Sequence, residues 1–182
     1  MTRRLVLASG SPRRVALLRG AGFDVDVRPS GVAEWPYPGG DPVAYAEALA
    51  RAKAEAVPGE VVVAADTIVV LDGDVLGKPA GPAEAASMLR RLSGRTHDVV
   101  TAVAVRRPGG VASAAARARV TFRALSAGEI EAYVRSGEPM DKAGAYAYQG
   151  GASAFVTALE GDPDTVIGLP VRLLYELLPA RS

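Results

Sequence analysis

The sequence contains no cysteine and only one histidine in 182 residues. The absence of cysteine excludes disulfides, thiolate nucleophiles and zinc–sulfur sites. A single histidine excludes His-rich metal motifs and argues against a Ser-His-Asp triad. If the protein uses a metal, hard oxygen ligands would hold it, which favours magnesium or manganese.

An excess of charge of one sign is also missing. The chain carries 21 basic and 20 acidic residues, a net charge of +1. No global field therefore recruits nucleic acid or anionic lipid, and an anion site must be local. The sequence has no Walker loop and no Gly-x-Gly-x-x-Gly motif after a strand, so these two nucleotide-binding motifs are excluded as well.

Long apolar runs are lacking, and no window approaches a membrane span. Met1 leads directly into core sequence without a signal peptide, so we expect a cytoplasmic protein. With 49% apolar and 23% charged residues, the composition is typical of a soluble globular protein. The length fits one domain, or two small lobes that share a core.

The N-terminal segment predicts a buried strand, a tight turn and a helix start. Residues 5–8 form a short apolar run, and Ser11 with Pro12 supplies an N-cap and a first helical residue. Arg13 and Arg14 then occupy the first turn, where the positive helix dipole favours acidic residues. We interpret residues 9–14 as a phosphate-binding segment. The alternative is a capped surface helix with solvated arginines.

The most apolar run of the chain covers residues 61–71 and predicts a strand that is covered on both faces. Asp66 lies at its centre. An ionised carboxylate is costly to bury unless it is paired or binds a metal, so Asp66 is the strongest single indication of function. The alternative is that Asp66 pairs with one arginine and is inert.

Two lysines and a second acid accompany Asp66. Lys53 falls in the apolar stripe of an alanine-rich helix, where it either extends its stem across the core edge or reaches a buried anion. Lys78 follows a short returning strand and precedes a proline that forces extended geometry, so we predict that it points back towards Asp66. Glu34, in a Pro/Gly-rich loop, carries little weight alone.

The remaining elements follow from turn, cap and periodicity signals. We predict helices at 42–57, 82–92 and 126–136, a hairpin of strands 99–105 and 111–122, an irregular segment at 137–151, a strand at 152–159, a turn at 160–164, and a C-terminal helix from 168–170 to about 178. His97 is placed in a loop, as a structural hydrogen-bonding residue.

Together these residues combine cations and acids without a nucleophile. A polyphosphate needs several positive groups to neutralise it, and carboxylates hold a divalent ion or deprotonate water. The Gln149 amide could read the edge of a base. The set therefore predicts metal-assisted phosphate chemistry.

Short motifs over nearly the whole chain support the same chemistry. They are Leu-Ala-Ser-Gly-Ser-Pro-Arg-Arg at 7–14, Ala-Ala-Asp-Thr at 64–67, Gly-Lys-Pro at 77–79, Leu-Ser-Gly with Thr-His at 92–97, Ser-Gly-Glu-Pro with Asp-Lys-Ala-Gly-Ala-Tyr at 136–146, Gln-Gly at 149–150 and Val-Ile-Gly-Leu-Pro at 166–170. In order and spacing they resemble the Maf family of nucleoside triphosphate pyrophosphatases.

The resemblance implies an α/β fold like that of the inosine triphosphate pyrophosphatases, with a mixed twisted sheet and flanking helices in two lobes around a central cleft. It implies a single domain over residues 1–182 and, as is usual in the family, a homodimer. The implied reaction is hydrolysis of a nucleoside triphosphate to the monophosphate and pyrophosphate, by a hydrolase acting on phosphorus-containing anhydrides. The implied cofactor is a divalent cation, Mg²⁺ or Mn²⁺.

The family's functional residues match positions of this chain. Asp66 aligns with the proton acceptor and, with Glu34, is expected to hold the metal. The positions of the family's phosphate and metal contacts are occupied by Ser9, Arg14, Glu34, Lys53 and Lys78. The residues that mark the subgroup acting on dTTP and UTP align with Arg13, Thr67 and Gln149.

Two departures from the family pattern bear on these assignments. Residues 160–164 read Glu-Gly-Asp-Pro-Asp where relatives often have Gly-Ser-Tyr, which puts in doubt any contact from that turn. Tyr148 precedes Gln149 where isoleucine is common, which alters how Gln149 is held.

Three alternatives remain open at this point. One keeps the reaction but changes the base, for example to modified pyrimidine triphosphates. Another is a regulator of septation or cell shape that binds nucleotides with little hydrolysis, against which Asp66 and Lys78 argue. Nucleic-acid binding is disfavoured by the near-zero net charge. We therefore expect a nucleoside triphosphate as the partner, rather than nucleic acid or a membrane.

Overall fold

The computed structural model describes residues 3–178. The strands are β1 (Arg3–Leu7), β2 (Phe23–Val27), β3 (Val62–Leu71), β4 (Asp74–Leu76), β5 (Thr96–Arg107), β6 (Gly110–Phe122) and β7 (Val156–Glu160). The α-helices are α1 (Pro12–Gly20), α2 (Pro42–Glu55), α3 (Pro82–Leu92), α4 (Ala127–Arg135), α5 (Pro163–Ile167) and α6 (Val171–Leu177). Short 3₁₀ helices cover Glu138–Asp141, Ala143–Ala145 and Gly151–Phe155.

The strands form one mixed sheet of seven strands, in the order β2-β1-β3-β5-β6-β7, with β4 paired to β3. Strand β1 runs parallel to both β2 and β3, whereas the β3–β4 and β6–β7 pairs are antiparallel. The predicted class, an α/β fold with a mixed sheet and flanking helices, is confirmed.

The chain divides into two compact units. Among the described residues, the first unit comprises 3–67, 101–116 and 168–178, and the second comprises 68–100 and 117–167. Each unit has its own core, which includes Leu7, Leu18 and Val103 in the first and Leu89 and Phe122 in the second. The prediction of a single domain over residues 1–182 stays a prediction.

Helix caps form where local sequence signals predict them. The Ser11 hydroxyl accepts a hydrogen bond from the Arg14 amide at 3.5 Å, and the Asp41 carboxylate accepts one from the Val43 amide at 2.9 Å. Ser126 and Glu129 form a capping box at the predicted start of α4. These bonds satisfy amides that have no partner within the first helical turn.

Three local predictions were wrong. His97 lies in strand β5 rather than in a loop, because its side chain takes an inward-facing position of the strand. The predicted strand 152–159 begins only at Val156, since Ala152 and Phe155, three residues apart, are both buried in a 3₁₀ turn. The predicted turn at 160–164 is followed by a helix that already begins at Pro163.

Within residues 3–178, no helix has the length and apolar character needed to cross a lipid bilayer.

Candidate functional site

The predicted site residues of the first unit lie where the carboxyl end of β1 meets the first half of the parallel strand β3. Leu7 of β1 pairs with Val63 of β3, and the Ala8 amide donates to the Val63 carbonyl at 2.8 Å. The chain then leaves β1 through Ser9, while β3 continues to Asp66. Open α/β sheets bind ligands at this end of their strands.

Asp66 is buried, with 5% of its surface exposed. Its Oδ1 atom accepts a hydrogen bond from Lys53 Nζ at 2.6 Å. Lys53 is itself 8% exposed, because α2 turns this residue inward with Leu49 and Ala50. The inward orientation of Lys53 is therefore confirmed, and the ion-pair partner of Asp66 is this lysine rather than the arginine of the structural alternative.

Glu34 completes a group of three charges. Lys53 Nζ also donates to Glu34 Oε1 at 2.8 Å, and the Glu34 side chain is 36% exposed. The loop that carries Glu34 is fastened to α2, since the Tyr45 hydroxyl donates to the Trp35 carbonyl at 2.7 Å. One ammonium thus lies between a buried and a solvent-accessible carboxylate, so a ligand can approach the group from the side of Glu34.

The surroundings of Asp66 make its carboxylate more basic. Burial raises the pKa of Asp66, the charges of Lys53 and Arg14 oppose this rise, and the negative charge of Glu34 adds to it. A carboxylate with a raised pKa is a better proton acceptor near neutral pH than an ordinary aspartate. Asp66 is therefore suited to accept a proton from water.

Arg14 contacts several predicted site residues. Its Nε donates to the Gly168 carbonyl at 2.8 Å, Nη1 donates to Ser9 Oγ at 3.3 Å, and Nη2 donates to Thr67 Oγ1 at 3.2 Å. Burial and the neighbouring Arg13 lower the pKa of Arg14, while Asp66 and Glu34 raise it. The guanidinium remains charged, because arginine is effectively always protonated in proteins.

Thr101 contacts the candidate site and was not predicted from the sequence. Its Oγ1 lies 2.9 Å from Thr67 Oγ1, and the residue has no exposed surface. The only available signal was one hydroxyl in the otherwise apolar run of residues 99–105. Arg13, by contrast, is half-buried and makes no hydrogen bond or ion pair with the part of the chain that the structure describes.

The remaining predicted residues belong to the second unit. Lys78 is exposed and follows β4. Gln149 is exposed in a turn that the Gly150 amide closes by donating to the Ala147 carbonyl at 3.0 Å. The prediction that Lys78 points towards Asp66 stays a prediction.

Two side-chain acceptors hold the turn that carries Gln149. The Tyr133 hydroxyl accepts a hydrogen bond from the Ala147 amide at 2.9 Å. The Glu138 carboxylate accepts one from the Gly151 amide, also at 2.9 Å. The backbone is thus fixed on both sides of Gln149.

His97 forms part of the core of the second unit. Its Nε2 lies 2.8 Å from the Tyr146 hydroxyl, and its ring packs edge-on against Phe122. Burial lowers the pKa of His97 to about 4, so the ring is neutral at physiological pH. The structure therefore places His97 as the predicted hydrogen-bonding residue.

Glu34 and Asp66 are the acids that could hold a metal. No cluster of three or more acidic or histidine side chains capable of ligation occurs between residues 3 and 178. Magnesium commonly binds one or two protein carboxylates and completes its shell with water and substrate phosphates. Two carboxylates, one of them accessible, therefore fit a divalent cation that shares its ligands with a phosphate-bearing substrate.

Comparison with known proteins identifies the family. The family model described as Maf-like protein matches residues 4–181. The chain belongs to the Maf family, as its motifs predicted.

Individual relatives are similar over almost their whole length. The chain is 54% identical to a dTTP/UTP pyrophosphatase of Thermus thermophilus, a match that covers 98% of this chain and 95% of the relative. It is 51% identical to the dTTP/UTP pyrophosphatases of Anaeromyxobacter dehalogenans (98% and 94% covered) and Moorella thermoacetica (96% and 93%). Among solved structures, the Ham1 protein of Staphylococcus aureus matches with a TM-score of 0.46 and 14% identity, over 66% of this chain and 72% of that one.

Proposed function

We propose that this protein is a nucleoside triphosphate pyrophosphatase that hydrolyses dTTP and UTP, together with pyrimidine triphosphates carrying modified bases. The observation that carries the proposal is the buried Asp66, which has a raised pKa and shares Lys53 with Glu34. The names of relatives about half identical over nearly the whole chain support the same substrates.

In the proposed reaction, Asp66 accepts a proton from water while the water oxygen attacks the α-phosphorus. The bond between the α-phosphorus and the bridging oxygen breaks, and pyrophosphate leaves with the bonding electrons. Products are the nucleoside monophosphate and pyrophosphate. The raised pKa of Asp66 brings its proton affinity closer to the operating pH, where general-base catalysis is most efficient.

Cations would stabilise the charge that develops on the pyrophosphate. Lys53 and Arg14 lie in the first unit beside Asp66, and Arg13 makes no ion pair with the described residues. Lys78 is proposed as a further phosphate contact. Loss of one such preorganised group costs on the order of 10²- to 10³-fold in rate.

A divalent cation, Mg²⁺ or Mn²⁺, is proposed as cofactor because Glu34 and Asp66 offer hard oxygen ligands. When bound, it would neutralise phosphate charge and polarise the phosphoryl oxygens. Lys53 would then have a second role, since it holds both carboxylates in place through bonds of 2.6 and 2.8 Å.

We further propose that Gln149 reads the base, and that Arg13 and Thr67, which mark the same subgroup in the family resemblance, contribute to substrate preference. The hydrogen bonds that hold the backbone on both sides of Gln149 support this role, because a side chain carried by a fixed backbone is better placed to discriminate between base edges. A cytoplasmic location and a homodimer are also proposed, the first because nucleotide pools are found there and the second from the family resemblance.

The proposal is tested by measuring pyrophosphate release from the four ribonucleoside and four deoxyribonucleoside triphosphates and from modified pyrimidine triphosphates, with and without Mg²⁺ or Mn²⁺. We expect dTTP and UTP to be preferred, and Asp66→Asn to remove activity. The matched control is Asp26→Asn, an acid in a surface ion pair with Arg28. Preference for a purine would contradict the substrate assignment. Tight dTTP binding without pyrophosphate release would favour the nucleotide-binding regulator.

A further inference from the structure

Two hydroxyl groups of the site, those of Ser9 and Thr67, accept hydrogen bonds from the same guanidinium. Arg14 Nη1 lies 3.3 Å from Ser9 Oγ, and Arg14 Nη2 lies 3.2 Å from Thr67 Oγ1. A hydroxyl has one proton to donate and two lone pairs that accept. When two donors occupy both lone pairs of a hydroxyl oxygen, the hydroxyl can form a further hydrogen bond only by donating its own proton.

Both lone pairs of Ser9 Oγ are in use. In addition to Arg14 Nη1, the backbone amide of Ser11 donates to this oxygen at 3.2 Å. Neither donor can accept a proton in return, since a guanidinium and an amide N–H only donate. The Ser9 proton therefore points away from both donors and can be donated to another group.

Thr67 Oγ1 has a corresponding arrangement. Arg14 Nη2 fills one lone pair, and Thr101 Oγ1 lies 2.9 Å away. If the buried Thr101 hydroxyl donates to Thr67, the second lone pair is filled as well. The Thr67 proton is then free to be donated, as that of Ser9 is.

We propose that Arg14 and Thr101 are positioning residues that fix Ser9 and Thr67 as hydrogen-bond donors to an oxyanion. The oxyanion would be a phosphate group of the nucleotide, so the inference deepens the proposed function and rests on it. A ligand group that only donates would find no acceptor at these two hydroxyls. An acceptor with negative charge finds two oriented donors and a cation behind them.

The inference gives Arg14 a role in addition to the phosphate contact expected from the sequence. Three of its five N–H groups are directed to Gly168, Ser9 and Thr67. Gly168 packs closely against this network, since a Cβ at that position would lie 3.5 Å from both Arg14 Nε and Thr67 Oγ1. Besides supplying positive charge, Arg14 would therefore act on the phosphate through the two hydroxyls that it orients.

A double-mutant cycle tests whether Thr101 acts through Thr67. The variants are Thr67→Val, Thr101→Val and the double substitution, and the readout is binding of inorganic tripolyphosphate measured by calorimetry. We expect each single change to weaken binding on the order of 3- to 10-fold, the worth of about one hydrogen bond. The double variant should bind no more weakly than Thr67→Val alone, and Thr101→Ser should bind like the wild type.

A second pair of threonines provides a matched control. Thr96 Oγ1 and Thr121 Oγ1 lie 2.8 Å apart on strands β5 and β6 of the second unit. Thr96→Val and Thr121→Val remove the same kind of hydroxyl contact and should leave tripolyphosphate binding unchanged. Thermal unfolding of all the variants checks that each one is folded.

Arg14→Lys gives an independent test that does not depend on Thr101→Val folding well. Lysine retains the positive charge, but its single ammonium group cannot donate to both hydroxyls in the way that the planar guanidinium does. Binding should therefore weaken by at least the effect of Thr67→Val. Near wild-type binding by Arg14→Lys would show that charge alone suffices and would overturn the inference.

Other results would also overturn it: additive effects in the cycle, wild-type binding by Thr101→Val, or no tripolyphosphate binding by the wild type. Tripolyphosphate has no base, and its binding requires no hydrolysis. Failure of the wild type to release pyrophosphate from dTTP would contradict the proposed function while leaving the cycle interpretable.

Discussion

Lys53 Nζ lies 2.6 Å from Asp66 Oδ1, and both side chains are nearly inaccessible to solvent. A buried ion pair stabilises a fold little in itself, because desolvation offsets most of the attraction. Removing one partner is more consequential, since it leaves a charge buried without compensation. Here the lysine also determines how basic the aspartate is.

We predict that Lys53→Met shifts the acidic limb of the pH–rate profile to higher pH and lowers kcat. Lys53 opposes the rise in the pKa of Asp66, so its removal raises that pKa further and protonates the base at a higher pH. The measurement is kcat and kcat/KM for dTTP from pH 5 to 9. Arg28→Met, which removes a cation from a surface ion pair, is the control and should leave the limb in place. An unshifted limb in Lys53→Met would show that another group limits the rate at low pH.

We predict that Glu34→Gln weakens binding of Mn²⁺ and raises the metal concentration needed for activity. The substitution keeps the size of the side chain and removes one of two candidate carboxylate ligands. The free-metal signal in electron paramagnetic resonance measures binding directly, without turnover, in the presence of dTMP and pyrophosphate. Glu47→Gln, a half-buried acid of the first unit that accepts from Ser113, is the comparison. Equal Mn²⁺ affinity in Glu34→Gln and the wild type would contradict the assignment of Glu34 as a ligand.

Site residues could be predicted where the pattern that reveals them lies within one short stretch of sequence, and not where it joins distant positions. Asp66 and Lys53 stood out because each interrupts an apolar pattern that is visible within a single element. The arrangement of Arg14 with the Gly168 carbonyl joins positions 154 residues apart, and no local pattern contains that information. Thr101 is recognisable as a partner only when β3 and β5 are known to be neighbours.

The fold shows the same division. Caps were predicted correctly because the residues that form them are within three positions of one another. The predicted loop position of His97 was wrong because β5 already begins at Thr96, only two residues after Gly94. The strand predicted at 152–159 failed at its start, since three-residue spacing of buried side chains overrode β-propensity.

We predict that Gly150→Ala perturbs the turn that carries Gln149. A Cβ at this position would overlap the Glu138 carboxylate, so the carboxylate must move, and we expect its bond to the Gly151 amide to be lost. The expected cost is about 1 kcal/mol of unfolding free energy, together with weaker discrimination between dTTP and purine triphosphates. Chemical denaturation and kcat/KM for dTTP and dGTP measure the two effects.

The control for this prediction is Gly128→Ala in α4, where an added Cβ meets nothing within 4 Å. It should be neutral, or stabilising by roughly 0.5–1 kcal/mol, because alanine favours helix. The double variant Glu138→Ala/Gly150→Ala should have the same unfolding free energy and the same dTTP selectivity as Glu138→Ala alone. Unchanged stability and selectivity in Gly150→Ala would show that Glu138 does not hold the turn.

We predict that His97 makes the fold less stable in mild acid. Burial lowers its pKa from 6.5 to about 4, so below pH 6.5 the unfolded chain binds a proton that the folded one does not. The contribution of His97 to stability is fully present above pH 6.5 and is lost as the pH falls towards 4. Linkage sets the loss at about 3 kcal/mol over this window.

Urea unfolding at pH 4.5, 5.5, 6.5 and 7.5 tests this dependence. His97→Gln cannot titrate but retains a side chain that can hydrogen-bond to Tyr146. The free energy of unfolding of this variant should therefore depend less on pH, because unfolding takes up about one proton fewer than in the wild type. The ring in the folded protein also has a buried Nδ1 without a hydrogen-bond partner among the described residues, which gives an added proton no acceptor. An identical pH dependence in the two proteins would mean that His97 is not the titrating group.

Trp35 follows Glu34 directly, and its carbonyl is held by the Tyr45 hydroxyl. It is the only tryptophan of the chain, is 39% exposed, and stands edge-on to the Tyr45 ring at 6.5 Å. Light absorbed near 295 nm would therefore excite one indole, one peptide bond from a candidate metal-binding acid. Its emission gives an intrinsic optical reporter for occupancy of that acid, so cation and nucleotide titrations can be followed in the unmodified protein without attaching a dye.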